Sequence, residues 1–319
     1  MTLKFGLVLP QGRRMDLAGM SNPIEAYETM TRVAQEAEAL GFHSVWLFDH
    51  FHTVPTPTQE VTFECWTSTA ALARDTRQVR IGQIVTCTSY RHPALLAKMA
   101  STVDVLSHGR LTVGIGAGWD VQEAQAYGYH FPDAPTRLRQ LRDAIRILLA
   151  MWSQEEAVME GTYYSVHGAI NQPKGVQQPH IPLLIGGNGE QITLKLVAQY
   201  ADACNIENLE NEELERKFAM LKKHCDEVGR DYQSIQRTVF FNCAIAETDN
   251  EALAASGLFR RPIPPERLRQ RALVGTPNAI RKRVQEIEQA GAQELILYLP
   301  ASSQLESIHM FAEACMQRD

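Results

Sequence analysis

Short apolar runs alternate with helix-like segments along the first 118 residues, and no other feature constrains the fold as much. One run and one helix together recur about every 35 residues. The runs are continuously apolar, which is typical of parallel strands that are buried on both faces. Strand–helix–strand units that repeat with right-handed crossovers form either an open doubly wound sheet or a closed barrel.

The number of strands favours the barrel. Apolar runs predict eight strands, centred near residues 5, 47, 83, 113, 184, 205, 241 and 297. Eight parallel strands with helices between them make a (β/α)8 TIM barrel, and 319 residues suffice for that α/β fold with insertions. We see no linker and no low-complexity tract, so the sequence predicts a single domain over residues 1–319. The irregular segment 158–179 predicts a small hairpin or excursion from the barrel.

Composition excludes several classes of partner. The net charge is −6 without a basic stripe, so nucleic acid is not expected as a partner. The longest apolar runs are too short to span a membrane, and the chain enters its first strand without a signal peptide. Six scattered cysteines without a Cys-x-x-Cys pair predict reduced thiols, and hence a cytoplasmic location rather than a disulfide framework.

The second predicted strand ends in a polar cluster. An apolar run from Val45 stops at Asp49, His50 and His52. In α/β folds, ligands bind at the carboxyl ends of the strands. We therefore expect Asp49 and His50 to face a pocket as catalytic residues. The alternative is that the aspartate caps a turn and the histidine lies at the surface.

Glycine-rich turns follow two other strands. Gly186, Gly187, Asn188 and Gly189 precede a helix predicted to start at Glu190, and exposed backbone amides at a helix start can hold a phosphate. A tight turn that needs positive φ is the alternative. A second run spaces its glycines at 114, 116 and 118, without the Rossmann spacing, and we interpret it as room for a flat ring to approach the backbone. Further candidates at strand ends are Gln11, Thr86, Cys87, Ser89, Tyr90, Arg91, Trp119, Glu207 and Asn208.

The pair His50 and His52 raises the question of a metal site. A metal-dependent hydrolase on a barrel needs further ligands at later strand ends. None of the other histidines lies at the end of the fifth, sixth or eighth predicted strand, so we predict no metal. No Gly-x-Ser-x-Gly motif for a nucleophile is present. The hydrolase is the least favoured of the enzymatic alternatives.

Five segments taken together resemble the bacterial luciferase-like monooxygenase superfamily. They are residues 3–6, 41–50, 90–94, 109–119, and 185–189 with 201–202. The resemblance covers nearly the whole chain in the right order, and it is greatest to the branch that uses the deazaflavin coenzyme F-420. It implies a (β/α)8 barrel with a deazaflavin or flavin across the carboxyl face, and a homodimer.

The resemblance also implies roles for residues. Asp49 and His50 belong near the cofactor ring, and a non-proline cis peptide near Ile84 and Val85 lies behind it. In sugar-phosphate dehydrogenases of this branch, the matching histidine is a base. Those relatives have a Glu where this chain has Trp119, so that substrate chemistry does not carry over. The predicted cofactor contacts are Ile84, Val85, Thr86, Arg91, Gly116, Gly118, Trp119, Gly186, Gly187, Asn188 and Gly189.

The sequence leads to one preferred function and two alternatives on the same fold. We expect an oxidoreductase that transfers a hydride between F-420 and a small organic substrate. The first alternative is an FMN-dependent monooxygenase, because both cofactors carry a phosphate on a ribityl-type chain that suits the glycine-rich turn. The second is a protein that binds a flavin without catalysis.

Overall fold

The computed structural model describes residues 3–207, 209–259 and 265–316. The strands are β1 (Lys4–Val8), β2 (Ser44–Leu47), β3 (Arg80–Gln83), β4 (Thr86–Cys87), β5 (Leu111–Gly116), β6 (Glu156–Met159), β7 (Val166–Ile170), β8 (Leu183–Gly186), β9 (Ala203–Glu207), β10 (Gln236–Ile245), β11 (Leu273–Gly275) and β12 (Glu294–Tyr298). The α-helices are α1 (Pro23–Ala39), α2 (Cys65–Asp75), α3 (Pro93–Leu106), α4 (Val121–Ala126), α5 (Ala134–Ser153), α6 (Thr193–Tyr200), α7 (Asn211–Val228), α8 (Asp249–Ser256), α9 (Pro265–Arg271), α10 (Pro277–Gln289) and α11 (Glu306–Cys315).

Eight of these strands close into a parallel barrel. Their order around the ring is β1, β2, β3, β5, β8, β9, β10 and β12, and β12 pairs with β1 again. The register places Leu7 opposite Val45 on one side of β1 and opposite Leu297 on the other. The predicted (β/α)8 barrel and its eight strands are thus confirmed.

The remaining strands lie outside the ring. β6 and β7 form an antiparallel hairpin, which confirms the predicted excursion. β4 pairs with β5, and β11 pairs with β10. The sequence did not predict β4 or β11 as separate strands, because two or three residues give no measurable periodicity. The third predicted strand, 79–87, is in fact divided into β3 and β4 around Ile84 and Val85.

Polar side chains cap the first turns of two helices. Asn22 caps α1, its side chain accepting a hydrogen bond from the backbone NH of Ile24. α8 has Thr248 as its cap, in a reciprocal arrangement with Glu251, whereas the sequence predicted Asp249. Such capping satisfies backbone NH groups that the helix itself leaves free. Among the described residues, no helix combines the length and the apolarity that crossing a membrane requires.

Candidate active site

A cavity of about 490 Å³ lies at the carboxyl ends of the barrel strands. Two groups of residues form or support its wall, and each group contains residues from the ends of several strands. The first is a charged cluster, which we define as Arg13, His50, Tyr90, Asp120 and Glu123. The second is a glycine floor, which we define as Val85, Gly116, Gly186 and Gly187.

The charged cluster is organised around Glu123. The Oε2 atom of this residue lies 2.6 Å from His50 Nδ1 and accepts a hydrogen bond of 2.8 Å from the Tyr90 hydroxyl. Oε1 accepts hydrogen bonds of 3.0 Å from Arg13 and 2.8 Å from the backbone NH of Phe51. The carboxylate is fully buried. Since all of these donors converge on one carboxylate, it fixes the orientation of the groups around it.

Glu123 is ionised in this environment. Burial opposes the charged form, but the hydrogen bond from His50 and the charges of His50 and Arg13 outweigh it and lower the pKa of Glu123 to about 2. Burial and the nearby Glu123 charge raise the pKa of Tyr90 well above its usual range, so its hydroxyl remains a donor. An ionised carboxylate only accepts hydrogen bonds, which assigns a proton to His50 Nδ1. Nε2 is then the ring nitrogen available for proton exchange with a bound molecule.

Asp49 precedes His50 in the chain but belongs to a different set of contacts. It lines the cavity, yet Oδ2 accepts hydrogen bonds from the backbone NH of Cys87 (2.9 Å) and from Arg91 (2.7 Å), and Oδ1 accepts one of 3.0 Å from Arg91. Both oxygens are therefore engaged. His50 remains the candidate of this pair for proton transfer.

Arg91 differs from its predicted role. The resemblance implied that Arg91 contacts the cofactor. In the structure Arg91 does not line the cavity, and its guanidinium pairs with both Asp49 and Glu64. Two carboxylates already compensate this charge, so Arg91 holds Asp49 in place instead of facing a ligand.

The glycine floor accommodates a side chain of the protein itself. A Cβ atom on Gly116 would lie 2.7 Å from Val85 Cγ2, and one on Gly186 would lie 2.8 Å from Val85 Cγ1. On Gly118, a Cβ atom would lie 2.5 Å from Cys87 Sγ. The interpretation of these glycines as open room for a flat ring is therefore corrected. They leave space for Val85 and Cys87, whose side chains line the cavity together with Gly116, Gly118 and Gly186.

The peptide bond between Ile84 and Val85 is cis, as the resemblance implied. Both residues line the cavity. Thr86 does not, because its side chain is buried and accepts a hydrogen bond of 3.1 Å from Trp66 Nε1. Of the three predicted cofactor contacts in this stretch, Ile84 and Val85 thus line the cavity and Thr86 lies in the core.

The turn after β8 is only partly directed at the cavity. Gly186 and Gly187 line it, and Gly187 has φ +138°, a conformation that favours glycine. Asn188 and Gly189 do not line it. The Asn188 side chain accepts a hydrogen bond of 3.1 Å from the backbone NH of Glu207 and so joins this turn to the end of β9. Asn208, also predicted as a candidate, lies outside the described residues.

The helix after this turn begins later than predicted. α6 starts at Thr193, because residues 190–192 form a turn. The carboxylate of Glu190 pairs with Arg216 at 2.6 Å and with Lys217 at 3.1 Å, and these partners lower its pKa, the hydrogen bond from Lys217 most. Lys217 also donates a hydrogen bond of 2.8 Å to the carbonyl of Asn188. Two cations therefore compensate the negative charge beside the turn.

Trp119 stands at the edge of the charged cluster. It lines the cavity, yet 69% of its surface is exposed. Its ring centroid lies 5.6 Å from that of His50 at an angle of 64°, and the guanidinium carbon of Arg13 lies 6.0 Å from its centroid. Trp119, which replaces the Glu of the sugar-phosphate dehydrogenases, thus places a large aromatic surface beside His50.

Arg14 lies among aromatic rings on another part of the wall. Its guanidinium carbon is 4.3 Å from the ring centroid of Tyr298, 5.0 Å from that of Phe48 and 5.5 Å from that of Phe240. It also donates a hydrogen bond of 2.5 Å to Asn242. These contacts attach the loop after β1 to the ends of the neighbouring strands β2 and β12 and of β10, the strand next to β12.

One group of side chains has the composition of a metal site. His50, Asp120 and Glu123 offer ligand atoms within 4.8 Å of one another. Arg13 already binds both carboxylates, with a distance of 2.7 Å to Asp120 and 3.0 Å to Glu123. A cation would have to compete with this guanidinium for the same oxygens. His52, the second residue of the predicted pair, is not part of the group among the described residues.

Sequence reasoning did not select Arg13, Arg14 or Glu123. Arg13 and Arg14 lie in a loop without a recognisable motif, and Glu123 lies in the six-residue helix α4. The only signal for Glu123 in the sequence was Asp120, three residues earlier. The Asp120 side chain accepts a hydrogen bond from the backbone NH of Glu123. Such spacing predicts a helix start but not the direction of the glutamate side chain.

Sequence comparison finds relatives over most of the chain. An F420-dependent glucose-6-phosphate dehydrogenase of Microbacterium testaceum is 26% identical over 309 residues, which cover 88% of this chain and 90% of that protein.

Comparison with solved structures finds the same fold. An F420-dependent secondary alcohol dehydrogenase in complex with an F420-acetone adduct matches with a TM-score of 0.84 and 20% identity over all of both chains. A Baeyer–Villiger monooxygenase of Pseudomonas putida in complex with FMN matches with a TM-score of 0.74 and 16% identity over 98% of this chain and 96% of that one. The sequence model described as luciferase-like monooxygenase matches residues 3–263. The chain therefore belongs to the luciferase-like monooxygenase family.

Proposed function

We propose that this protein is an oxidoreductase that uses coenzyme F-420 and transfers a hydride to or from a small organic substrate. One observation carries the proposal. His50 lies on the wall of the cavity and is oriented through Nδ1 by the buried, ionised Glu123. The curated relative and the solved structure named above as F420-dependent support this choice of cofactor.

The residues of the cavity fit a deazaflavin. Val85, supported by Gly116 and Gly186, gives the ring an apolar surface next to the strand ends. The backbone NH of Gly187 donates a hydrogen bond of 3.0 Å to the carbonyl of Asn205, so in this proposal the NH groups of Asn188 and Gly189 hold the cofactor phosphate. Lys217 and Arg216 compensate the nearby charge of Glu190. In this arrangement His50 and Trp119 remain for the substrate.

The chain itself handles the proton. When bound, F-420 supplies or accepts the hydride. In the reducing direction, His50 Nε2 donates a proton to the substrate oxygen while the hydride reaches the neighbouring carbon, and in the oxidising direction Nε2 accepts that proton. Glu123 holds the ring through Nδ1, and Arg13 and Tyr90 hold Glu123.

The alternative is an FMN-dependent monooxygenase on the same barrel. The solved monooxygenase in complex with FMN supports it, because its fold covers nearly the whole of this chain. The glycine floor would suit either ring. A homodimer, as the resemblance implies, and a location in the cytoplasm, as the six scattered cysteines predict, complete the proposal.

Titration of the purified protein with each cofactor tests the proposal. Binding of F-420 and of FMN is followed through intrinsic tryptophan fluorescence and by calorimetry. We expect F-420 to bind at least tenfold more tightly than FMN, a difference of about 1.4 kcal/mol. Tight binding of FMN without a response to F-420 would reverse the order of the two functions. A stoichiometric divalent metal in the purified protein would favour the hydrolase instead.

A further inference from the structure

The cationic groups near His50 are already paired. Arg13 binds Asp120 and Glu123, and Arg91 binds Asp49 and Glu64. The carboxylates of this region thus outnumber the guanidinium groups that neutralise them. An anionic substrate group placed beside His50 would meet a wall that does not attract it.

An aromatic surface adjoins the same histidine. Trp119 is 69% exposed, whereas the other wall aromatics lie against buried clusters or Arg14; they are Phe48, Tyr90, Phe240 and Phe259. An indole at a cavity wall binds flat, unsaturated molecules through stacking and dispersion. Its centroid is 5.6 Å from that of the His50 ring, so a molecule in contact with Trp119 is within reach of the imidazole.

Four aliphatic residues extend the apolar part of the wall, although polar residues such as Asn205 and Glu207 line other parts of the cavity. Val54, Pro55, Leu138 and Leu141 line it and carry no hydrogen-bonding side chain. Pockets of this kind bind largely apolar ligands and orient them through a few polar groups. His50 and Arg13 are polar groups beside Trp119, and Arg13 is paired with Asp120 and Glu123.

We infer that the subsite beside His50 takes an uncharged, planar, unsaturated carbonyl compound or the matching alcohol, with its ring or conjugated system against Trp119. This inference rests on the proposed function, because it names the substrate class of the same site. In the reducing direction, the carbonyl carbon gains the hydride from reduced F-420 and the oxygen gains the proton from His50. Sugar phosphates, which the name of the curated relative includes, are excluded from this class.

Binding of matched probes tests the inference. The full-length protein, with and without F-420, is titrated in a calorimeter with 2-naphthaldehyde, 2-naphthyl phosphate and cyclohexanecarbaldehyde. We expect the planar aldehyde to bind about tenfold more tightly than either the phosphate or the saturated aldehyde. Tighter binding of the phosphate, or of glucose 6-phosphate, would overturn the inference.

Variants of Trp119 separate stacking from general burial. Trp119→Ala is expected to weaken binding of 2-naphthaldehyde about tenfold, and Trp119→Phe to restore most of it. Because the side chain is largely exposed, both variants should fold. Ile24→Ala, at a residue that is 70% exposed and does not line the cavity, is the control. Equal binding by the wild type and Trp119→Ala would overturn the inference.

The two proposals fail in different ways. If F-420 does not bind while 2-naphthaldehyde binds in a manner that depends on Trp119, the cofactor assignment is wrong and the subsite is right. If F-420 binds and its oxidised form turns over glucose 6-phosphate in preference to 2-naphthalenemethanol, the alcohol that matches 2-naphthaldehyde, the function is right and the substrate class is wrong.

Discussion

The charged cluster and the glycine floor serve the same cavity by opposite means. In the charged cluster, side chains from the loop after β1, the end of β2 and the segment after β4 converge on Glu123 of helix α4. In the glycine floor, missing side chains leave the space that Val85 occupies. The first surface depends on charge and proton position, and the second on shape. Mutations should therefore affect protons and stability at one surface, and cofactor contact at the other.

The largest effect on stability is expected from Arg91→Ala. This change leaves the buried carboxylate of Asp49 without its ionic partner, and removal of one partner of a buried pair costs about 3–5 kcal/mol. Urea unfolding measures the loss. Arg77→Ala, at an exposed arginine, is the control and should change stability by less than about 0.5 kcal/mol. A small loss in Arg91→Ala would show that Asp49 does not need this partner.

His50→Ala should have the largest effect on turnover. Loss of the proton-transfer group is expected to lower kcat by about 100-fold or more and to remove one limb of the pH–rate profile. The dissociation constant of the cofactor should stay within about twofold, because the glycine floor is unchanged. His167→Ala, at an exposed histidine of the hairpin, is the control. If His50→Ala keeps its rate and its pH profile, His50 is not the proton-transfer residue.

Gly187→Val tests the glycine floor. The native φ of +138° is strained for valine, and a Cβ atom would lie 3.3 Å from Thr193 Cγ2. We expect the dissociation constant of the cofactor to rise at least tenfold, about 1.4 kcal/mol. Gly229→Val places the same side chain at φ +71° in open space and should affect stability alone. Unchanged cofactor binding by a folded Gly187→Val would remove this turn from the site.

The smallest effect appears only in acid. The pKa of Glu123 is lowered from 4.5 to about 2, so its contribution to stability is complete above about pH 4.5 and is lost as the pH falls towards 2. The urea midpoint of the wild type should therefore fall more steeply between pH 5 and pH 3 than that of Glu123→Gln. Parallel pH dependences of the two urea midpoints would show that the partners do not lower the pKa of Glu123. The glycine floor contributes no titratable group to this dependence.

The comparison also shows how far neighbours in sequence predict neighbours in space. The sequence placed Asp49 beside His50 and suggested that the two act together. In the structure Asp49 turns to Arg91 and Cys87, whereas His50 meets Glu123, 73 residues later. Adjacent residues at a strand end point in different directions, so the contacts of each are decided by the loops that pack above them.

The barrel, its eight strands and the polar residues at their carboxyl ends were all predictable from the sequence alone. Continuous apolar runs at regular spacing suffice for this, because each strand and helix must bury its own apolar face. The same patterns also located Asp49, His50, Trp119 and the turn at Gly187 on the cavity wall.

Which of these groups contact one another became visible in the folded structure alone. It brought Glu123 to His50, enclosed Arg14 among three rings, paired Arg91 with two carboxylates, and filled the space above Gly116 with Val85. Each of these contacts joins segments that lie far apart in the chain and depends on the direction of a side chain. Sequence periodicity predicts the direction of side chains within one helix or strand, but it does not predict how side chains of different loops meet. The chemistry of this cavity depends on contacts between loops.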